Sequence, residues 1–327
     1  VDLDAYVLER AGEWDRMANL ARRRRLTAAE ADELVMLYQR AATHLSVLRR
    51  RAPDPVVLAG LSEQLMAGRA AINRGQGFAW RSIPRFLLRT FPSEVYQARH
   101  WWLPLGALLL AAGIALTWYI ASYPQVAAHF LTEQQIAGMV GGDFVGYYSK
   151  YQPQNFAGQV WTNNAVLTAQ CIAAGVLVLP VFYLLGVNLL NIALAGGVLT
   201  GAGLGGTFLT FLAPHGLLEL TCVIVGAGAG LRIGWAWIAP GESRTRRQAL
   251  TDRARSGMLI AIGLVPVLAV AGALEAWITP SPLPPAARVG VGAVVWLGFL
   301  AYALLLGRAA QSRGVPDESA AYELPSA

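Results

Sequence analysis

An all-α, polytopic membrane protein is what this sequence predicts, and three observations predict it. The 327 residues are 55% hydrophobic and only 14% charged, where a soluble domain carries about a quarter charged residues. The charge is unevenly spread: 1–99 is rich in it and 100–238 nearly lacks it. The apolar stretches that follow come in runs near the ~20 residues a helix needs to cross a bilayer.

Taken in order, the chain opens on three amphipathic helices. Residues 2–24 place Leu3, Val7, Trp14, Met17 and Leu20 near helical spacing and end in four arginines, 22–25. Thr27 and Glu30 form a capping-box pattern that opens a second helix, with an apolar stripe of Leu34, Leu37, Ala41, Leu45 and Leu48. Pro53 and Pro55 break it, and a third helix runs to about residue 73. Such helices predict a small bundle over 1–77, on the cytoplasmic side.

Residues 78–99 mix Phe86, Leu87, Leu88 and Phe91 with Arg81, Arg85 and Arg89. The arginines recur every four residues and share one helix face. That pattern predicts an interfacial segment with arginines toward lipid phosphates, and Trp101 and Trp102 mark the expected membrane boundary. The competing reading packs this segment on the bundle.

Six spans are expected in a transmembrane domain over 100–307: 100–123, 163–186, 188–211, 215–238, 257–278 and 287–307. Pro266 should kink the fifth. The polar stretch 124–160 forms an external loop and 308–327 a tail. The arginines of 239–256 stand against Lys150 and Arg288 on the other side. The positive-inside rule then puts both termini in the cytoplasm. No apolar region behind a basic start precedes the first run, which is expected to insert as a signal anchor. With the arginines bordering apolar segments, the net charge of +6 reflects membrane orientation, and no nucleic-acid partner is expected. Cys171 and Cys222 sit in apolar runs and read as buried small hydrophobes.

Two glycine rows recur every four residues: Gly197, Gly201 and Gly205, then Gly226, Gly230 and Gly234. Such rows let backbones approach. Counted from a turn near Ala213-Pro214, Gly201 is level with Gly226 and Gly197 with Gly230, so the rows are expected to meet in a hairpin. A homo-oligomer seam is the alternative.

Polar residues inside spans cost free energy and therefore mark function. Asn163, Asn164, His215, Glu219 and Glu275 all fall at one depth in the outer leaflet, with Gln170 two turns deeper. His215 and Glu219 are four apart on one helix face. One imidazole and two carboxylates could hold a divalent metal and activate water, which makes His215, Glu219 and Glu275 the catalytic and metal candidates. A hydrogen-bonded network tying the spans together, and a binding or transport site, are the other readings. No Walker loop or Gly-x-Ser-x-Gly elbow is present, and the glycine run 201–206 lies in an apolar span without a preceding strand. An enzyme is thus the less favoured class.

Several of these stretches carry a resemblance. Trp161-Thr-Asn-Asn164, the glycine-rich 188–206, Ala213-Pro-His-Gly-Leu-Leu-Glu219, Gly230-Leu-Arg-Ile-Gly234, Pro240-Gly241 with Arg246-Arg247, Leu274-Glu275-Ala276 and the interfacial 86–91 resemble the stage II sporulation protein M family. The resemblance covers roughly 80–280. It implies a multi-pass inner-membrane protein. In endospore formers the namesake anchors a peptidoglycan-remodelling complex, and relatives in other bacteria often occur beside an ATPase of the MoxR type. It therefore implies a scaffold of a cell-envelope complex that recruits partners, with a transporter or a metal-dependent hydrolase as rivals.

Overall fold

The computed structural model describes residues 3–23, 26–51, 54–74, 82–148, 153–241 and 244–312. The chain falls into two compact units, Val1–Ile83 and Pro84–Ala327. All regular structure among the described residues is helical.

The first unit is a three-helix bundle: α1 (Leu3–Arg22), α2 (Ala28–Arg51) and α3 (Pro55–Arg74). Its core takes Trp14, Met17 and Leu20 from α1, Leu34, Leu37, Ala41 and Leu48 from α2, and Leu61 and Leu65 from α3. These positions follow the three-and-four spacing that lays one apolar stripe along each helix. The capping box forms: the Glu30 amide donates to Thr27 Oγ1 at 3.3 Å, and the Thr27 amide to Glu30 Oε2 at 2.9 Å. The hydrogen bond from the Thr27 backbone holds the Glu30 carboxyl below its ordinary value. Arg16 grips both oxygens of Glu33 at 2.8–2.9 Å, tying α1 to α2.

The second unit begins with a helical segment that ends in α4 (Phe91–Gln97). The long helices follow: α5 (Arg99–Ser122), α6 (Pro153–Ala174), α7 (Leu179–Gly201), α8 (Gly205–Ile238), α9 (Arg246–Ala273, with a wider turn to Ile278) and α10 (Pro285–Ala301, continuing to Ser312). Five stretches among the described residues are long and apolar enough to cross a membrane: Arg99–Ser122, Leu179–Gly201, Gly205–Ile238, Arg246–Ile278 and Pro285–Ser312. The chain is thus an all-α multi-pass membrane protein. The second expected span, 163–186, is replaced by α6, which starts ten residues earlier inside the expected loop 124–160, is not among these five, and packs on α8 and α9. It is the polar one, with Gln159, Asn163, Asn164 and Gln170 along it.

At 34 residues, about 51 Å long, α8 is the axis of the unit. It packs against α5, α6, α7, α9 and α10. One core joins Phe91, Trp102, Leu218, Cys222, Ile260, Leu264 and Phe299. A second joins Leu105, Cys171, Val181, Leu185 and Val223. Leu108, Leu110, Ile114 and Trp118 of α5 point away from the protein, as a lipid-facing surface requires.

The turns fall elsewhere than the sequence suggested. The second and third spans part at Gly175–Leu177 and Val178, not at 186–191. The third and fourth part at 202–204, where Gly203 takes φ +78°, not at Ala213-Pro214. Pro214 lies inside α8, and Pro266 inside α9. No charge occurs between 165 and 212, so hydropathy alone had no contrast from which to place either turn.

That shift separates the two glycine rows. Gly197 and Gly201 face Ile120 and Ala121 of α5. Gly226, Gly230 and Gly234 face Thr168, Cys171 and Gly175 along α6 and its end. The expected Gly201–Gly226 hairpin is therefore replaced by two separate seams. A Cβ on Gly230 would stand on the Cys171 carbonyl, and one on Gly234 on the Gly175 carbonyl.

The boundary segment is also corrected in part. Arg81 lies outside the described residues, and Arg85 and Arg89 are exposed. Phe91, however, is buried against Gly263, and Trp102 is only 3% exposed. Trp102 is a core residue rather than a boundary ring, because its indole N–H finds the Val95 carbonyl at 3.0 Å.

Candidate functional site

Three helices bring the polar residues together. Asn164 comes from the middle of α6. His215 and Glu219 come from successive turns of α8, about ten residues inside its start. Glu275 comes from the widened turn Leu274–Ile278 that ends α9. That turn changes the helical phase, so Leu274, Glu275 and Ala276 are buried in succession.

These side chains line a cavity of about 330 Å³, with Asn163, Asn188, Gln159 and Tyr147 on its wall. His215 and Glu275 side chains are each 6% exposed. Nδ2 of Asn164 donates to Glu219 Oε1 and to the Val160 carbonyl. Glu219 Oε2 is buried with no hydrogen-bond partner among the described residues. His215 Nδ1 lies 3.2 Å from Thr279 Oγ1, which is 3.3 Å from the Leu274 carbonyl. Arg288 Nη1 donates to the Thr279 carbonyl at 2.7 Å. With the Thr279 hydroxyl donating to Leu274, Nδ1–H donates to Thr279 and Nε2 keeps its lone pair. That lone pair faces Glu275 Oε1 at 3.8 Å.

Tyr148, on the loop before α6, covers the site. Its ring lies 5.3 Å from Phe211 and 5.9 Å from His215. Burial, and then the Glu275 charge, hold its phenol well above the ordinary tyrosine range.

What can this arrangement do? One ligand atom each from His215, Glu219 and Glu275 lies within 4.8 Å of the others. A gap of 3.8 Å between Nε2 and Oε1 is too long for a hydrogen bond and suits two ligands of one metal ion. Glu275 is buried and Glu219 partly so, and among the described residues no Lys or Arg pairs with either, which calls for a compensating charge or proton. The residues therefore fit a divalent cation.

Asn163, Asn164, His215, Glu219 and Glu275 thus reach one cavity. Gln170 does not. It lies two turns further along α6 than Asn163, is exposed, and is not part of the cavity wall. The sequence reading overlooked Asn188, Thr279, Arg288 and the covering role of Tyr147 and Tyr148. Asn188 is legible, with Asn191, as an amide in an apolar run, but hydropathy puts both at a joint between spans rather than inside one.

The family model described as stage II sporulation protein M matches residues 106–280. A second, described as a domain of unknown function (DUF8413), matches 4–74. No curated protein and no solved structure matches the chain.

Proposed function

The chain belongs to the stage II sporulation protein M family, and we propose that it is a membrane scaffold of a bacterial cell-envelope complex. In this reading the polar cavity faces the outer side and holds a divalent cation that locks α6, α8 and α9 together. Both termini lie in the cytoplasm, where the α1–α3 bundle recruits a partner. The MoxR-type ATPases that neighbour such proteins are the partner class the resemblance suggests.

One observation carries the preference for a static role over transport. The cavity reaches no deeper along α8 than Leu220. Beyond it, Gly226, Gly230 and Gly234 lie directly against α6. That seam closes the α6 face of α8 between the cavity and Arg232, where a transporter would need a water path.

The test has two arms. Purified full chain is dialysed against stoichiometric Zn²⁺ or Mn²⁺, and retained metal is measured. The expected result is about one ion per chain, lost in Glu219→Gln with Glu275→Gln. Retention of none, or equal retention by the double variant, would refute the cation. Photo-crosslinkers on exposed faces of α1 and α2 in living cells then test the scaffold. Its failure would be the absence of any specific adduct.

A further inference from the structure

The other end of the bundle carries a second cavity, of about 130 Å³. Its wall includes Trp101 of α5, Arg232 and Trp235 of α8, Arg244, and Ala249 and Arg253 of α9. Three guanidinium groups share a space too small for a nucleoside and large enough for one phosphate group.

Their partners are unequal. Arg244 is paired with Asp252 at 3.1 Å. Among the described residues Arg232 meets only neutral acceptors, Ser256 Oγ and Gln97 Oε1, each at 3.3 Å. Ser256 in turn donates its proton to Glu94, so that carboxylate reaches Arg232 only at one remove. Arg253 has no ion pair among the described residues. Two arginines from different helices thus line one pocket, and among the described residues neither is in direct contact with a carboxylate. Like charges in one pocket repel unless an anion sits between them. Guanidinium forks match phosphate oxygens in pairs.

The aromatic wall adds position. The Trp101 and Trp235 rings lie 5.9 Å apart, and Trp235 is half exposed. Indoles at the ends of apolar helices sit at headgroup level. Snorkelling explains one arginine at a helix end. It does not explain two from separate helices lining the same pocket between indoles.

We propose that this pocket is a phosphate-binding site, with Arg232 and Arg253 as the ligand-holding residues and Trp101 and Trp235 as its walls. The phosphate comes either from an anionic lipid headgroup or from a free phosphate anion. The proposal is independent of the outer cavity.

The test uses full chain in a nonionic detergent. Short-chain phosphatidylglycerol, inorganic phosphate and, as a phosphate-free control, short-chain diacylglycerol are titrated and read by native mass spectrometry. Wild type should bind phosphatidylglycerol or phosphate but not diacylglycerol. Binding of the lipid alone identifies a headgroup site; binding of inorganic phosphate without lipid identifies a free-anion site. Arg232→Gln with Arg253→Gln should weaken binding about tenfold or more, and Arg247→Gln, exposed outside the pocket, should not. Arg253→Gln alone is the safeguard, since that side chain holds no hydrogen bond or ion pair with any described residue; it should cost several-fold. Failure of wild type to bind either probe, or variants binding as wild type does, would overturn the proposal.

Discussion

His215 Nε2 and Glu275 Oε1 face each other across 3.8 Å, from α8 and the end of α9, with both side chains 6% exposed. The gap is too long for a hydrogen bond and too short to be indifferent. What bridges it depends on Thr279, whose hydroxyl orients the imidazole from behind. Replacing Thr279 by valine keeps the shape and removes the oxygen. We expect divalent-cation affinity to fall about tenfold or more, as when an outer partner of a metal ligand is lost. Isothermal titration of the two proteins checks this, and equal affinities would detach Thr279 from the site.

The α6–α8 seam makes a sharper structural prediction. Gly230→Ala pushes a methyl group into the Cys171 carbonyl, which belongs to backbone and cannot swing aside. We expect a loss of about 1–3 kcal/mol, the usual cost of overpacking. Gly206→Ala, where a Cβ meets open space, should be neutral or slightly stabilising in a helix. Thermal unfolding in detergent would reveal both, and indistinguishable melting points would count against the seam.

In the N-terminal bundle, His44 carries a pH dependence. Nε2 lies 2.9 Å from Arg10 Nη1, and Nδ1 accepts from the Trp14 indole at 3.2 Å. Neither neighbour can accept a proton. Burial first, then the Arg10 charge, hold the imidazole below its ordinary 6.5. Below that pH the unfolded chain takes up a proton that the folded bundle resists, so stability declines as pH falls through 6.5 and is level above it. Hydrogen exchange of residues 3–74 in the full chain, corrected for intrinsic rates, should show weaker protection at pH 5.5 than at 7.5. His44→Gln should abolish the difference.

The proposed orientation is open to direct labelling. Glu133 and Arg246 are exposed and lie at opposite ends of the bundle, whereas both native cysteines are buried. In intact cells an impermeant maleimide should modify Glu133→Cys, and Arg246→Cys only after permeabilisation. The reverse pattern would invert the threading.

Much of this protein was readable before any geometry. The stripe Leu34, Leu37, Ala41 and Leu48 and the Thr27–Glu30 cap report local periodicity, and the bundle keeps both. The residues His215, Glu219, Glu275 and Asn164 stood out because a polar group in an apolar run is costly. Other features left faint traces. Pro180, at the second position of α7, and Gly203 with its positive φ are the signals that mark the two misplaced turns. They are outweighed because 165–212 carries no charge.

Lipid as the solvent for most of residues 99–312 follows from composition, since only helices with their backbone bonds closed internally tolerate it. Which helices touch does not. Gly226, Gly230 and Gly234 are equally able to admit α7 or α6, because a missing side chain invites any backbone. The choice falls to the hairpin at Gly175–Leu177 and Val178, which delivers Cys171 and Gly175 to that face. The same folding turns Asn164 inward and Gln170 outward. The polar cavity is thus made of residues the chain announces, assembled by close contacts that hydropathy is blind to.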